Sequence, residues 1–137
     1  MCDAKEFAIN AHTGQIRRGW EEYCLHPIRV AEAVEAAGGS KDAVCAAYLH
    51  DTVEDCGVAL QEVEQLFGPR VREIVDILTK RDGEKDHFQR ILDSGDMDVL
   101  LIKKMDLQDN LWVREQDYWP GMEEALLRYR RNLSRLP

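Results

Sequence analysis

Apolar residues recur along this chain every three or four positions, and no stretch alternates apolar with polar beyond a few residues. That period belongs to helices that bury one face. Ala4, Phe7, Ala8 and Ala11 form such a stripe, in a helix expected from about Asp3 to Arg17. Val30, Ala33, Val34 and Ala37 mark a second. His26-Pro27 opens it, since proline suits the first helical turn, and Gly38-Gly39 closes it. Ser40 caps a third helix, with Val44, Ala47 and Tyr48 on its buried face, and Cys56-Gly57 breaks the pattern.

A fourth helix is expected from about Ala59 to Phe67, stopping at Gly68. Pro69 opens a fifth, whose Val71, Ile74, Val75 and Leu78 make the cleanest stripe in the chain. Phe88, Ile91 and Leu92 belong to a short sixth. The seventh, from about Asp98 to Trp112, begins with Val99-Leu100-Leu101-Ile102. It is apolar on all sides there, so it belongs at the centre. The last runs from Pro120 to about Arg135, and its terminal arginines suit the negative end of the helix dipole. The expected fold is all-α, about seven or eight helices with no sheet. At 137 residues the chain is expected to be a single domain, residues 1–137.

Charge and composition narrow the function. A net charge of −8 argues against nucleic acid as the partner, since phosphate backbones need a basic face. No apolar run is long enough for a membrane span, and the first residues lack the apolar core of a signal peptide. A cytoplasmic location is expected. The four cysteines have no CxxC spacing, so they are expected as free thiols, with Cys45 filling the core.

The chemistry concentrates in Leu49-His50-Asp51-Thr52-Val53-Glu54-Asp55. Burying that many ionisable groups without partners costs several kcal/mol, and a bound cation is the simplest partner. His26, His50, Asp51 and Asp106 are the candidate ligands of one divalent metal. Two imidazoles with two carboxylates suit manganese, iron or zinc better than calcium, which prefers oxygen alone. A six-coordinate ion held by four protein ligands keeps two positions, for water and for a phosphoryl oxygen. Glu54 and Asp55 are the candidate catalytic pair. Glu54 is the expected group to take or return a proton and Asp55 to orient water or a leaving oxygen, although the sequence does not divide those roles between them. His12 is expected to be structural, His87 exposed, and the C-terminal arginines a solvated face. Arg17-Arg18 is the basic cluster that the sequence places near the acidic site.

Four ordered blocks carry a resemblance. They are Ala11-His12-Thr13-Gly14-Gln15-Ile16-Arg17-Arg18, Tyr23-Cys24-Leu25-His26-Pro27-Ile28-Arg29-Val30-Ala31, the Leu49 to Asp55 stretch, and Ile102-Lys103-Lys104-Met105-Asp106-Leu107-Gln108-Asp109-Asn110-Leu111. Together they resemble the HD-domain hydrolases, and among these the guanosine polyphosphate pyrophosphohydrolases of the RelA/SpoT and small alarmone hydrolase group. The resemblance implies a compact HD-domain helical bundle in which His26, His50, Asp51 and Asp106 hold manganese, with iron, zinc or magnesium as alternatives. It implies Glu54 and Asp55 as the catalytic pair, Arg17 packing on a guanine base with Arg18 beside it, and Asn110 touching the nucleotide sugar. The implied reaction removes the 3′-diphosphate from guanosine tetra- or pentaphosphate, a small-molecule nucleotide, and the assembly compatible with it is a monomer or a homodimer. Trp20 and Glu22 stand where the family loop has glycine and proline. Two other readings keep the same site: a phosphatase or phosphodiesterase for another nucleotide, and a non-catalytic nucleotide- or metal-binding module.

Overall fold

The computed structural model describes residues 4–12, 25–116 and 120–137. Among them the chain is helical throughout, in the order α1 (Ala4–Ala11), α2 (Leu25–Ala36), α3 (Lys41–Leu49), α4 (Thr52–Cys56), α5 (Leu60–Phe67), α6 (Pro69–Leu78), α7 (His87–Asp93), α8 (Met97–Gln116) and α9 (Glu123–Ser134). The all-α expectation is met, with nine helices among the described residues rather than seven or eight. None of them is long and apolar enough to cross a membrane.

The added element is α4. The third stripe suggested a helix running past His50, but α3 ends at Leu49. The cause is local. The hydroxyl of Thr52 donates to the Leu49 carbonyl at 2.8 Å, and His50 Nδ1–H donates to the Ala47 carbonyl at 2.6 Å. Side chains thus take up terminal carbonyls that would otherwise accept from the next helical turn. The chain restarts as α4 with Asp51 at its N-terminal boundary. His50 and Asp51 therefore lie at a junction between two helices. The last helix also differs. Pro120 and Gly121 form a turn, Gly121 has φ 99°, and α9 starts only after Met122.

Elsewhere the sequence signals act as expected. Ser40 Oγ accepts from the Ala43 amide at 3.1 Å, a cap worth about 1 kcal/mol. After α2 the Gly39 amide donates to the Val34 carbonyl at 2.9 Å and the Gly38 amide to that of Glu35 at 3.0 Å. This is the paired closure that wants glycine at the left-handed position, and Gly38 has φ 85°. A Cβ on Gly39 would fall 2.5 Å from Val34 Cγ1.

Two packed pairs, α2 with α3 and α5 with α6, are joined by α3 against α6. Alanines Ala31, Ala43, Ala46 and Ala47 are fully buried in the first pair, and small side chains let helices approach closely. Helix α8 packs on α2, α3, α6, α7 and α9. Its Val99, Leu100 and Ile102 are buried, in keeping with a central helix. Arg70, at the start of α6, forks onto Asp96 at 2.7 and 2.9 Å and reaches Asp98 at 3.0 Å. Asp96 Oδ1 also accepts the amides of Asp98 and Val99, so one carboxylate anchors α6 and caps α8. Cys45 is buried, as expected of a core residue, but it is disulfide-bonded rather than free. Cys56 is not disulfide-bonded.

Candidate metal centre

Three elements converge on one point. The first turn of α2 brings His26, the α3–α4 junction brings His50 and Asp51, and the middle of α8 brings Asp106. One donor atom each from His26, His50 and Asp106 lie within 4.8 Å of one another, all three residues being buried. Asp51 joins them, with Oδ2 3.2 Å from His50 Nε2 and 3.8 Å from His26 Nε2. Asp106 Oδ1 lies 2.7 Å from His26 Nε2 and 3.3 Å from His50 Nε2. The four candidate ligands named from the sequence are thus brought together.

The donor chemistry fits a cation. With His50 Nδ1–H donating to the Ala47 carbonyl, Nε2 is the nitrogen left to ligate a metal once its proton is lost. That Nε2 is buried without a hydrogen-bond partner, while carboxylate oxygens of Asp51 and Asp106 stand 3.2 and 3.3 Å away. A buried polar atom without a partner costs about 1–3 kcal/mol, and a divalent ion among these atoms would remove that cost. The same crowding shows in the protonation equilibria. Burial lowers the pKa of His50, but the carboxylates of Asp51 and Asp106 outweigh it and hold the value well above the ordinary histidine range. His26 is raised for the same reasons, with Asp106 and Asp109 opposing burial. Burial raises the pKa of Asp51, yet His50 and His26 bring it down to about 2. Asp106 is held well below the ordinary carboxylate range, since Lys103, His26 and His50 outweigh its burial.

Beyond the cluster, several expectations meet specific surroundings. Glu54 and Asp55 lie exposed on α4. Glu54 Oε1 accepts the Lys80 amide at 2.9 Å. Asn110 Nδ2 donates to Asp106 Oδ1 at 3.4 Å, one turn further along α8. His12 is buried, with Nδ1 3.2 Å from the Cys56 thiol, so it ties α1 to α4 as a structural residue. Arg17, Arg18, Trp20 and Glu22 lie outside the described residues.

His87 departs from the expected exposure. It is half-buried, and its Nε2–H donates to the Ile77 carbonyl at 3.0 Å. Burial lowers its pKa. Its ring lines a cavity of about 330 Å³ together with Lys80, Lys85, Lys103, Arg128 and Tyr129. Sequence reading missed this basic cavity, and it assigned Arg128 to a solvated face. Its four cations come from the segments after α6 and from α8 and α9, so no run of charge announces them. Lys103 is the residue a careful reading could have found, three positions before Asp106 on one helix face. Its Nζ donates to Asp106 Oδ2 at 3.1 Å, so one ammonium belongs to both the cavity wall and the ligand cluster.

Also missed were Asp109 and Arg29. Asp109 Oδ2 accepts His26 Nδ1–H at 2.7 Å. Arg29 clasps the same carboxylate, Nε–H to Oδ1 at 2.6 Å and Nη2–H to Oδ2 at 3.0 Å.

Comparison with known proteins identifies relatives and a family. The guanosine-3′,5′-bis(diphosphate) 3′-pyrophosphohydrolase of Aquifex aeolicus is 32% identical over 125 residues, covering 83% of this chain and 18% of that protein. A probable GTP pyrophosphokinase of Mycobacterium leprae is 34% identical over 131 residues, covering 89% of this chain and 16% of that protein. The chain therefore spans less than a fifth of the length of these two relatives. A solved structure, described as a metazoan ortholog of SpoT that hydrolyzes ppGpp, superposes with a TM-score of 0.82 at 22% identity, over 96% of this chain and 81% of that one. The HD domain model matches residues 4–106. With that match running from α1 to the carboxylate of Asp106, this chain belongs to the HD-domain family.

Proposed function

We propose that the protein is a metal-dependent phosphohydrolase that removes the 3′-diphosphate from guanosine tetra- or pentaphosphate. The observation that carries the reading is the partnerless, buried Nε2 of His50, facing His26, Asp51 and Asp106. The names of the relatives support the substrate. The mixed nitrogen and oxygen set supports manganese over calcium. When bound, the ion would supply Lewis-acid polarisation of a phosphoryl oxygen and would acidify water.

The chain's own residues supply the rest. His26, His50, Asp51 and Asp106 would hold the ion. Glu54 or Asp55, exposed beside the junction, would take the proton of the attacking water. Water adds to the phosphorus attached to the ribose 3′ oxygen, the 3′ O–P bond breaks, and pyrophosphate leaves while the 3′ oxygen regains a proton. Lys80, Lys85, Lys103 and Arg128 make the adjoining cavity a place for phosphate charge, which an acidic chain offers at few points. Asn110, which donates to Asp106 Oδ1 at 3.4 Å, is assigned to the sugar by family resemblance. Arg17 and Arg18 are assigned to the base by family resemblance.

The test is release of pyrophosphate from guanosine tetraphosphate by purified protein with manganese. His50→Ala and Asp51→Asn should abolish it. Orthophosphate from other nucleotides would transfer the site to a phosphatase. Metal binding without any turnover would leave a binding module.

A further inference from the structure

Asp109 lies one turn beyond Asp106 on the same face of α8, and Arg29 lies one turn beyond His26 on α2. The two pairs meet rung on rung. His26 Nε2 faces Asp106 Oδ1 at 2.7 Å while its Nδ1–H donates to Asp109 Oδ2 at 2.7 Å. Arg29 grips both oxygens of Asp109, and its guanidinium lies 5.4 Å from the centroid of the Trp112 ring. The Asp109 side chain is only 10% exposed. A two-point guanidinium fork fixes the plane of a carboxylate as well as its position, so Asp109 is not free to swing toward the ligand cluster.

We propose that Asp109, locked by Arg29, is the positioning residue for His26. It holds the proton on Nδ1 and so presents Nε2 as the ligand nitrogen. A metal-binding imidazole needs its lone pair on the ligating nitrogen, and an acceptor on the other nitrogen enforces that tautomer and makes the ring a stronger donor. The two histidines differ here. His50 is oriented by the neutral carbonyl of Ala47, and His26 by an anion. The arrangement is a histidine backed by a carboxylate, backed in turn by an arginine resting on an indole. Such outer partners are worth roughly 10–100-fold in metal affinity.

The inference rests on the metal reading above, and the experiment separates the two. Manganese alone is titrated calorimetrically into metal-free protein, and the thermal midpoint of the same metal-free sample is recorded. Asp109→Asn should weaken manganese roughly 10–100-fold, and it should also lower the metal-free midpoint, since His26 and Arg29 lose an anionic partner. Asp109→Glu should recover part of the affinity, and Arg29→Gln should weaken binding less than Asp109→Asn. If Asp109→Asn does not fold, Arg29→Gln carries the test, since it frees the carboxylate without removing it. An Asp109→Asn protein, or in its place an Arg29→Gln protein, that binds manganese within twofold of the parent overturns the inference. So does one whose metal-free midpoint collapses with affinity intact. A parent protein that binds no manganese, zinc or iron overturns the metal reading itself.

Discussion

Thr52→Val tests why the His-Asp pair stands at a helix junction. Thr52 is fully buried, and its hydroxyl donates to the Leu49 carbonyl at 2.8 Å. Valine keeps the volume and shape, so no cavity opens, but it removes the donor and sets a methyl against the carbonyl oxygen. Losing the partner of a buried acceptor costs about 1–3 kcal/mol. Thr52→Ser keeps the donor and loses one buried methyl, about 0.8 kcal/mol. The valine protein should therefore be the less stable of the two, by roughly 1 kcal/mol. At roughly 3–5 °C per kcal/mol for a chain of this size, the valine thermal midpoint should fall by about 3–15 °C. Urea denaturation in chelator reads this without metal, and calorimetric titration then reads manganese affinity. Because the same junction aims His50, the valine protein should also bind manganese more weakly than the serine protein. A valine protein as stable as the serine protein, or more stable, would show that packing rather than the hydroxyl ends α3, and the reasoning would fail.

Two further outcomes follow from the charges. His26 and His50 have folded-state pKa values above the ordinary value of about 6.5. In chelator their stabilisation should be full below about pH 6.5 and lost as pH rises through the raised values. Urea midpoints that stay level between about pH 6 and pH 9 would contradict this, and added manganese should offset the loss because ligation replaces the proton. Charge reversal in the cavity, Lys80→Glu or Arg128→Glu, should raise KM for the phosphorylated nucleotide roughly fivefold at low salt, with the effect shrinking at high salt. A KM unchanged at both ionic strengths would remove the cavity from substrate binding.

What the sequence alone determined is what local pattern can encode. Val71, Ile74, Val75 and Leu78 declare α6 because a buried stripe repeats at the helical period, and all four are buried. Ser40 and Gly38-Gly39 declare helix ends because capping is a matter of near neighbours. His50-Asp51 and Asp106 stood out because such residues are costly inside an apolar pattern unless something holds them. The split between α3 and α4 was less legible, since the hydroxyl of Thr52 could as readily have faced outward. Tertiary structure decided the rest. His26 meets Asp109 across 83 positions of chain, and Lys80, Lys85, Lys103 and Arg128 share one cavity only because α8 and α9 pack together. A side chain's partner across such distances is set by how helices cross, and helix crossing leaves no period in the sequence to read.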